Sequence, residues 1–478
     1  MTRVESDSAP ADLNDSARPG LTLTVVTVVQ FMVSLDLSVV NVGLPQIAAG
    51  LGFAPLDLTW VIHAYALTFG GLLLLGGKTA DRYGRKRILL LGLALFGLAS
   101  LAGGLARHPG ELVAARAVQG IGAAALAPTA LALLTTTFPM GRARTRAFGI
   151  WSAMNAAGGA LGVLVGGLLT EYAGWRWVML VNVPMAAGAL VLAWRGVAAD
   201  HTSARRVDLD LPGALLATGG LMLLVFGVVR TDRYAWSSPT TLATLAIAVL
   251  LLVLFIRVEH AGGQDALLRL RLFANRSVSG ANAYNLLVGA AMASAFYFVS
   301  LYLQKVLAVS PAMAGLMLLP FAVGVITGSM AGIRLGYRVT PRTLLIWGGL
   351  LTAAGFAWFG LVSADGRFVT DVLGPSILAS VGFGLCLGPV VSTATLGVAA
   401  RETGTASGLL GSSRQIGASL GLAALGTAAQ DHMSGATTRE ALASGYGFGL
   451  ALAAALLLIA VIIAATVLSP TPSKETAS

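Results

Sequence analysis

Apolar runs long enough to cross a hydrocarbon core recur along this chain, and a run of that length has few ways to fold. A spanning helix needs about 20 mostly apolar residues. We count fourteen such segments, at approximately 22–44, 57–76, 88–106, 112–137, 147–169, 177–194, 212–229, 240–258, 279–304, 312–333, 342–362, 372–398, 404–428 and 444–468. Alternating strand patterns are absent, which disfavours an outer-membrane barrel. The expected fold class is therefore all-α and polytopic. Composition agrees: 56% of residues are hydrophobic and 11% charged, against about 45–50% and 25% in soluble domains. The single cysteine, Cys386, lies in an apolar run, so neither a disulfide framework nor a thiolate metal site is expected.

A formal charge of +10 would suggest nucleic acid in a soluble chain. Here loop placement explains it. With a cytoplasmic N-terminus, 22 of the 31 Lys and Arg residues fall on the inner side and seven on the outer, leaving Arg116 and Arg414 inside spans. Positive residues favour the cytoplasmic side, so both termini are expected inside the cell's inner (plasma) membrane, with no nucleic-acid partner. Trp60, Trp175, Trp177 and Trp236 fall at outer boundaries and Trp151, Trp194 and Trp347 near inner ones, as amphipathic rings prefer.

The spans group as six, two and six. Residues 1–20 read as a disordered cytoplasmic tail, 21–195 as a six-helix bundle, 196–278 as a two-helix insertion with cytoplasmic linkers, 279–468 as a second six-helix bundle and 469–478 as a tail. Within the second linker, "ALLRLRLF" alternates apolar and basic residues and could lie along lipid headgroups. Transporters are commonly built from two repeated halves around a midplane site. No strong internal repeat is visible here, so the two halves rest on span count.

The stretch "GGKTADRYGRKR", Gly76 to Arg87, contains Gly-Lys-Thr but is not a phosphate loop. Leu72 stands where that motif needs glycine, and no strand leads into it. It is the short inner connection between spans two and three. Gly77 and Gly84 would permit tight turns, and Asp81 could accept from a helix N-terminus or pair with an arginine.

These residues resemble the major facilitator superfamily, specifically its fourteen-span drug:proton antiporters. Gly77, Asp81, Arg82, Gly84, Arg85 and Lys86 match that superfamily's motif between spans two and three, with Thr79 replacing its leucine. "LDLSVVNVGLP" (Leu35 to Pro45) resembles the group's first-span motif, and "RAVQGIGAA" (Arg116 to Ala124) the fourth-span motif whose arginine is associated with proton transfer. "WRWVMLVNVP", "AGLMLLP" and "SRQIGASLG" are also similar to that group's phrases. In the fifth span the family pattern Gly-x-x-x-Gly-Pro-x-x-Gly-Gly reads Gly158, Gly162, Val163, Gly166, Gly167. The proline kink is not encoded, but the glycines still share a face that permits close helix packing. The resemblance implies two six-helix bundles plus two central helices, and proton-driven multidrug or antibiotic efflux by alternating access.

Among 21 acidic residues, Asp36 alone lies well inside a span. Intramembrane charges cost several kcal/mol unless they face a cavity or a partner. At about 1.5 Å rise per residue, Asp36 lies roughly 21 Å outward from Thr22, Arg116 roughly 6 Å below Leu112 and His63 roughly 9 Å below Asp57. All three then occupy one layer in the outer half. Asp36 is expected to carry the proton, facing water from alternate sides, with Arg116 stabilising its ionised form; the competing reading is a static ion pair that locks two helices. Gln119 shares the face of Arg116 and could hydrogen-bond cargo. His63, Asn155, Asn282, Asn285 and Arg414 are further cavity candidates, although asparagines also serve as interhelical glue and one histidine can be merely interfacial. If both arginines face the cavity, its interior is net positive and favours neutral, zwitterionic or anionic amphiphiles. Asn41 lies about 140° around the helix from Asp36 and serves another face.

The expected partners are the lipid bilayer, protons and a small amphiphilic substrate, for a monomer with no cofactor and no metal. The proton gradient supplies the energy. A symporter or passive facilitator for a small solute is the first alternative. A membrane enzyme is remote, because no acids, histidines or nucleophile–base pair converge within the spans. A channel is disfavoured by the lack of a repeated filter segment.

Overall fold

The computed structural model describes residues 19–54, 57–138, 142–198, 210–232, 234–262, 268, 270–336, 338–398 and 403–468. Most of the tail expected at 1–20, the tail expected at 469–478 and most of the first linker lie outside them, whereas Pro19 and Gly20 belong to the first helix. Every long element is helical, with no strand among the described residues. The first group comprises α1 (Pro19–Leu51), α2 (Trp60–Tyr83), α3 (Arg85–Gly104), α4 (Pro109–Thr137), α5 (Arg142–Tyr172), α6 (Arg176–Leu180) and α7 (Asn182–Gly196). The pair α8 (Leu211–Val229) and α9 (Pro239–Gly262) follows. The last group comprises α10 (Arg276–Leu301), α11 (Pro311–Met317), α12 (Leu319–Leu335), α13 (Pro341–Phe359), α14 (Gly374–Ala394), α15 (Thr403–Met433) and α16 (Arg439–Thr466).

Thirteen segments among the described residues are long and apolar enough to cross a membrane. The fourteenth expected segment, 404–428, is helical as α15, 31 residues long. It falls short in apolarity, because Ser412, Ser413, Arg414 and Gln415 interrupt it.

Small residues decide which helices touch. Without a hydrophobic drive between helices in lipid, association relies on close packing. On α5, a β-carbon at Gly158 would fall 2.6 Å from Phe31 O of α1, one at Gly162 2.9 Å from Leu35 O, and one at Gly166 2.7 Å from Val39 O. One face of α5 therefore lies directly on the α1 backbone. Gly417 and Gly421 of α15 meet Leu286 and Ala290 of α10 in the same manner. The correspondence extends further: α2 and α3 both pack on α4, and α12 and α13 both pack on α14. Two halves that the sequence does not display as a repeat thus share one packing scheme.

The "ALLRLRLF" stretch ends in a 3₁₀ turn, Leu270–Ala274. Leu268 and Leu272 are buried against Val278 and Leu409, with Leu74 and Phe255 packed beside them. Leu268 and Leu272 thus turn into the protein, while Phe273 is 39% exposed.

Both groups are tied at the face opposite that where α1 begins. Gln46 Nε2 donates to Gln304 Oε1 (2.9 Å), Gln304 Nε2 to Val42 O (2.9 Å), and Ser300 Oγ to Asn41 O (2.9 Å). Glu171 Oε2 accepts from Ala312 N (2.8 Å), while a β-carbon at Gly167 would meet Ala312 Cα at 3.0 Å. Along the side, α2 lies on α15, and α8 packs on both.

Candidate functional site

Asp36 faces α4 and α7 rather than α5, because it lies off the α1 face occupied by Phe31, Leu35 and Val39. Its Oδ2 accepts from Arg116 Nη1 at 2.6 Å, and its Oδ1 accepts from Gln119 Nε2 and Asn182 Nδ2, both at 2.8 Å. Arg116 and Gln119 are three residues apart on α4, so one helix face delivers both. Arg116 Nη1 also donates to Gln119 Oε1 (2.8 Å), and its Nε to Val61 O of α2 (3.0 Å). The guanidinium stacks 4.3 Å from the Tyr65 ring centroid, a cation–π contact that strengthens when desolvated. Gln119 Nε2 donates in addition to Ser100 Oγ of α3 (2.9 Å). Five helices converge on one carboxylate.

This cluster is closed. Asp36 and Gln119 are 0% exposed and Arg116 2%. In this conformation the Asp36 side chain has no solvent-exposed surface, whereas the sequence led to the expectation that it meets water. Gln119 is likewise consumed within the cluster instead of offered to cargo.

The other expected cavity residues separate. His63 is fully buried, and neither ring nitrogen has a hydrogen-bond partner among the described residues. It sits about 200° around α2 from both Val61 and Tyr65, with Trp60 edge-on at 5.7 Å. It shares the layer of Asp36 but not its network. Asn282 Oδ1 accepts from Ser413 Oγ (2.7 Å) and Asn285 Nδ2 donates to Leu410 O (2.7 Å). Both are buried links between α10 and α15, so their cavity assignment is corrected to interhelical glue.

Asn155 is partly buried and accepts from Gln30 Nε2 (2.7 Å) and Ser34 Oγ of α1. Gln30, Ser34, Ser38, Val42 and Gln46 form one row at four-residue spacing on α1. The outer members of that row touch Gln304, just past the end of α10, so the inner ones face the space between the two halves. Arg414 is exposed, while Ser412, Ser413 and Gln415 around it are buried.

The connection between α2 and α3 turns at Gly84, whose φ of 98° suits glycine. Gly77 lies inside α2 against Pro128 of α4, which corrects its expected role in a turn. Asp81 Oδ1 pairs with Arg85 Nη2 at 3.3 Å across the break. Arg82 lies over the Tyr83 ring, and Lys86 is partly exposed.

Asn182, Ser100 and Tyr65 were not singled out from the sequence. The amide of Asn182 inside "WRWVMLVNVP" was a usable signal, being polar in an apolar run. Glu259 was also missed. It is buried on α9 with Oε2 accepting from Leu268 N (2.8 Å), and Asp210 lies beside it.

The profile of the Major Facilitator Superfamily matches residues 26–422. The cephamycin export protein CmcT of Amycolatopsis lactamdurans is 42% identical over 449 residues, covering 94% of this chain and 92% of its own. The puromycin resistance protein pur8 of Streptomyces alboniger is 41% identical over 454 residues, with 92% and 90% covered. In fold, the nucleoside transporter NupG aligns with a TM-score of 0.66 at 11% identity, over 95% of this chain and 100% of that one. Motifs, helix packing and near-full-length relatives agree, and the chain belongs to the Major Facilitator Superfamily.

Proposed function

We propose that this protein is a secondary transporter that exports antibiotic-like amphiphiles in exchange for protons, by alternating access. The observation that carries export is the identity above 40% to an export protein and a resistance protein, over nearly the full length of each. Those relatives favour efflux over the symport reading that Val163, in place of proline, had left open.

The coupling assignment rests on Asp36. Three donors, one of them the Arg116 cation, stabilise its ionised form, and charge-assisted hydrogen bonds of this kind are the strong ones. Because the carboxylate is sealed, proton exchange requires α1 to move against α4 or α7. Opening the face tied by Gln46, Gln304, Ser300 and Glu171 would release α1 for such a movement, since α1 carries three of those four contacts. Once Arg116 withdraws, an isolated carboxylate in a low dielectric is costly and takes up a proton. Return of Arg116 expels it.

Purified protein in vesicles with an imposed pH gradient tests the reading. Cargo uptake into vesicles that are acidic inside should reverse direction when the gradient is reversed. Uptake in the direction of proton flow would establish symport, and uptake indifferent to the gradient would establish a passive facilitator.

A further inference from the structure

The two intramembrane arginines differ in a way that identifies cargo chemistry. Arg116 spends its donors on Asp36, Gln119 and Val61 O. Arg414 makes no hydrogen bond or ion pair among the described residues, yet it occupies the middle of a 31-residue helix. Charges at such depth are costly without a partner or a wet cavity.

Its direction follows from the neighbours of α15. Gly408, Gly411 and Gln415 pack on Leu74, Leu73 and Gly70 of α2, and Gly417 and Gly421 pack on α10. Ile416 and Leu420 turn to the cluster with Leu221 and Val225 of α8. Arg414 is about 200–240° around the helix from those two, so it projects between α2 and α10, away from α8. That is the space between the two halves. The α1 row that borders the same space, Gln30, Ser34 and Ser38, together with Asn155, offers hydrogen bonds but no negative charge. Along α2, nine residues separate Val61, in the Asp36 layer, from Gly70 beside Gln415, placing Arg414 about 13 Å nearer the face where α1 begins.

We propose that Arg414 receives an anionic group of the cargo, a carboxylate on an otherwise apolar molecule, and so sets a preference for anionic over neutral and cationic amphiphiles. A guanidinium matches a carboxylate in bidentate fashion, and the polar row opposite can hold neutral parts of the same molecule. This deepens the exporter reading and rests on it for transport, though not for binding.

The test uses dansyl-aminoundecanoate, its methyl ester and the corresponding primary amine. Binding to the full-length protein is read by fluorescence in detergent, and transport in phosphatidylcholine vesicles. Wild type should bind the carboxylate at least about ten-fold tighter than ester or amine, the scale of a hydrogen-bonded charge pair. Arg414→Gln should collapse that ratio toward one, and Arg414→Lys should restore part of it. Equal binding of carboxylate and ester by wild type, or a ratio unchanged in Arg414→Gln, would overturn the proposal. So would loss of the ratio on adding phosphatidylglycerol, which would assign the site to a lipid headgroup. Normal binding ratios with no gradient-driven transport would instead overturn the exporter reading and leave Arg414 as an anion receptor.

Discussion

The first half of the molecule buries a charge pair that is fully matched, and the second half carries a charge with no match among the described residues. Asp36 and Arg116 sit among five helices with almost no exposed surface. Arg414 sits in the other half on α15, the counterpart of α5 rather than of α4, exposed and unpaired among the described residues. The same residue type therefore answers to two demands. Arg116 is held by protein groups that lock its geometry, so it suits a step in which a proton is held or released. Arg414 is held by no hydrogen bond or ion pair among the described residues, so it suits a group that arrives from outside.

The sharpest way to break this contrast is to remove each arginine alone. Arg116→Leu leaves Asp36 buried without its cation, a change that costs about 3–5 kcal/mol. It should lower the thermal midpoint in detergent severely or abolish recovery of folded protein. Arg414→Leu should leave the midpoint near the wild-type value, because no packing or hydrogen bond is lost. Equal destabilisation by the two would show that Arg414 is structural.

Asn182→Ala comes next. It removes one of the three donors to Asp36, while Gln119 still donates to the same oxygen, and should cost about 1.5–3 kcal/mol, the scale of one hydrogen bond to a charged group. The loss should show in the midpoint and be accompanied by altered proton coupling, whereas a purely structural amide would change stability alone. His63→Leu should be neutral or stabilising, since replacing an unpartnered buried polar side chain by an apolar one removes a penalty of about 1–3 kcal/mol. Retained stability with lost gradient-driven transport would reinstate His63 as a proton relay. The smallest effect is expected at Asp81→Ala, which breaks a solvent-exposed pair with Arg85. Exposed pairs contribute little, so the midpoint should not move. A change in transport rate without a change in midpoint would point to a gating role for the turn at Gly84.

Much of this was legible in the residues, for physical reasons. A carboxylate or guanidinium inside an apolar run is conspicuous, so Asp36, Arg116 and Arg414 stood out. Their common depth with His63 followed from helical rise alone. Rotation about the helix was not legible in the same way. It depends on which glycines meet which backbones, and Gly158, Gly162 and Gly166 fix α5 on α1 only once both helices are in place. Hence the sequence could not tell that Asp36 is sealed, that His63 faces away from it, or that Asn282 and Asn285 bind α15. The partner of Arg116 Nε, the Val61 carbonyl, carries no side-chain signal at all. Span counting by apolarity meets its limit at α15, where the polar residues that interrupt the run are those that serve the interior.

The account depends on Asp36 exchanging a proton as cargo binds, and one measurement addresses that directly. Cargo is added to purified protein in weakly buffered vesicles while external pH is recorded, with wild type compared against Asp36→Asn. Wild type should release protons in proportion to cargo bound, and Asp36→Asn, folded and still binding cargo, should release none. Proton release undiminished in Asp36→Asn would reduce the buried pair to a lock between helices and place the coupling elsewhere.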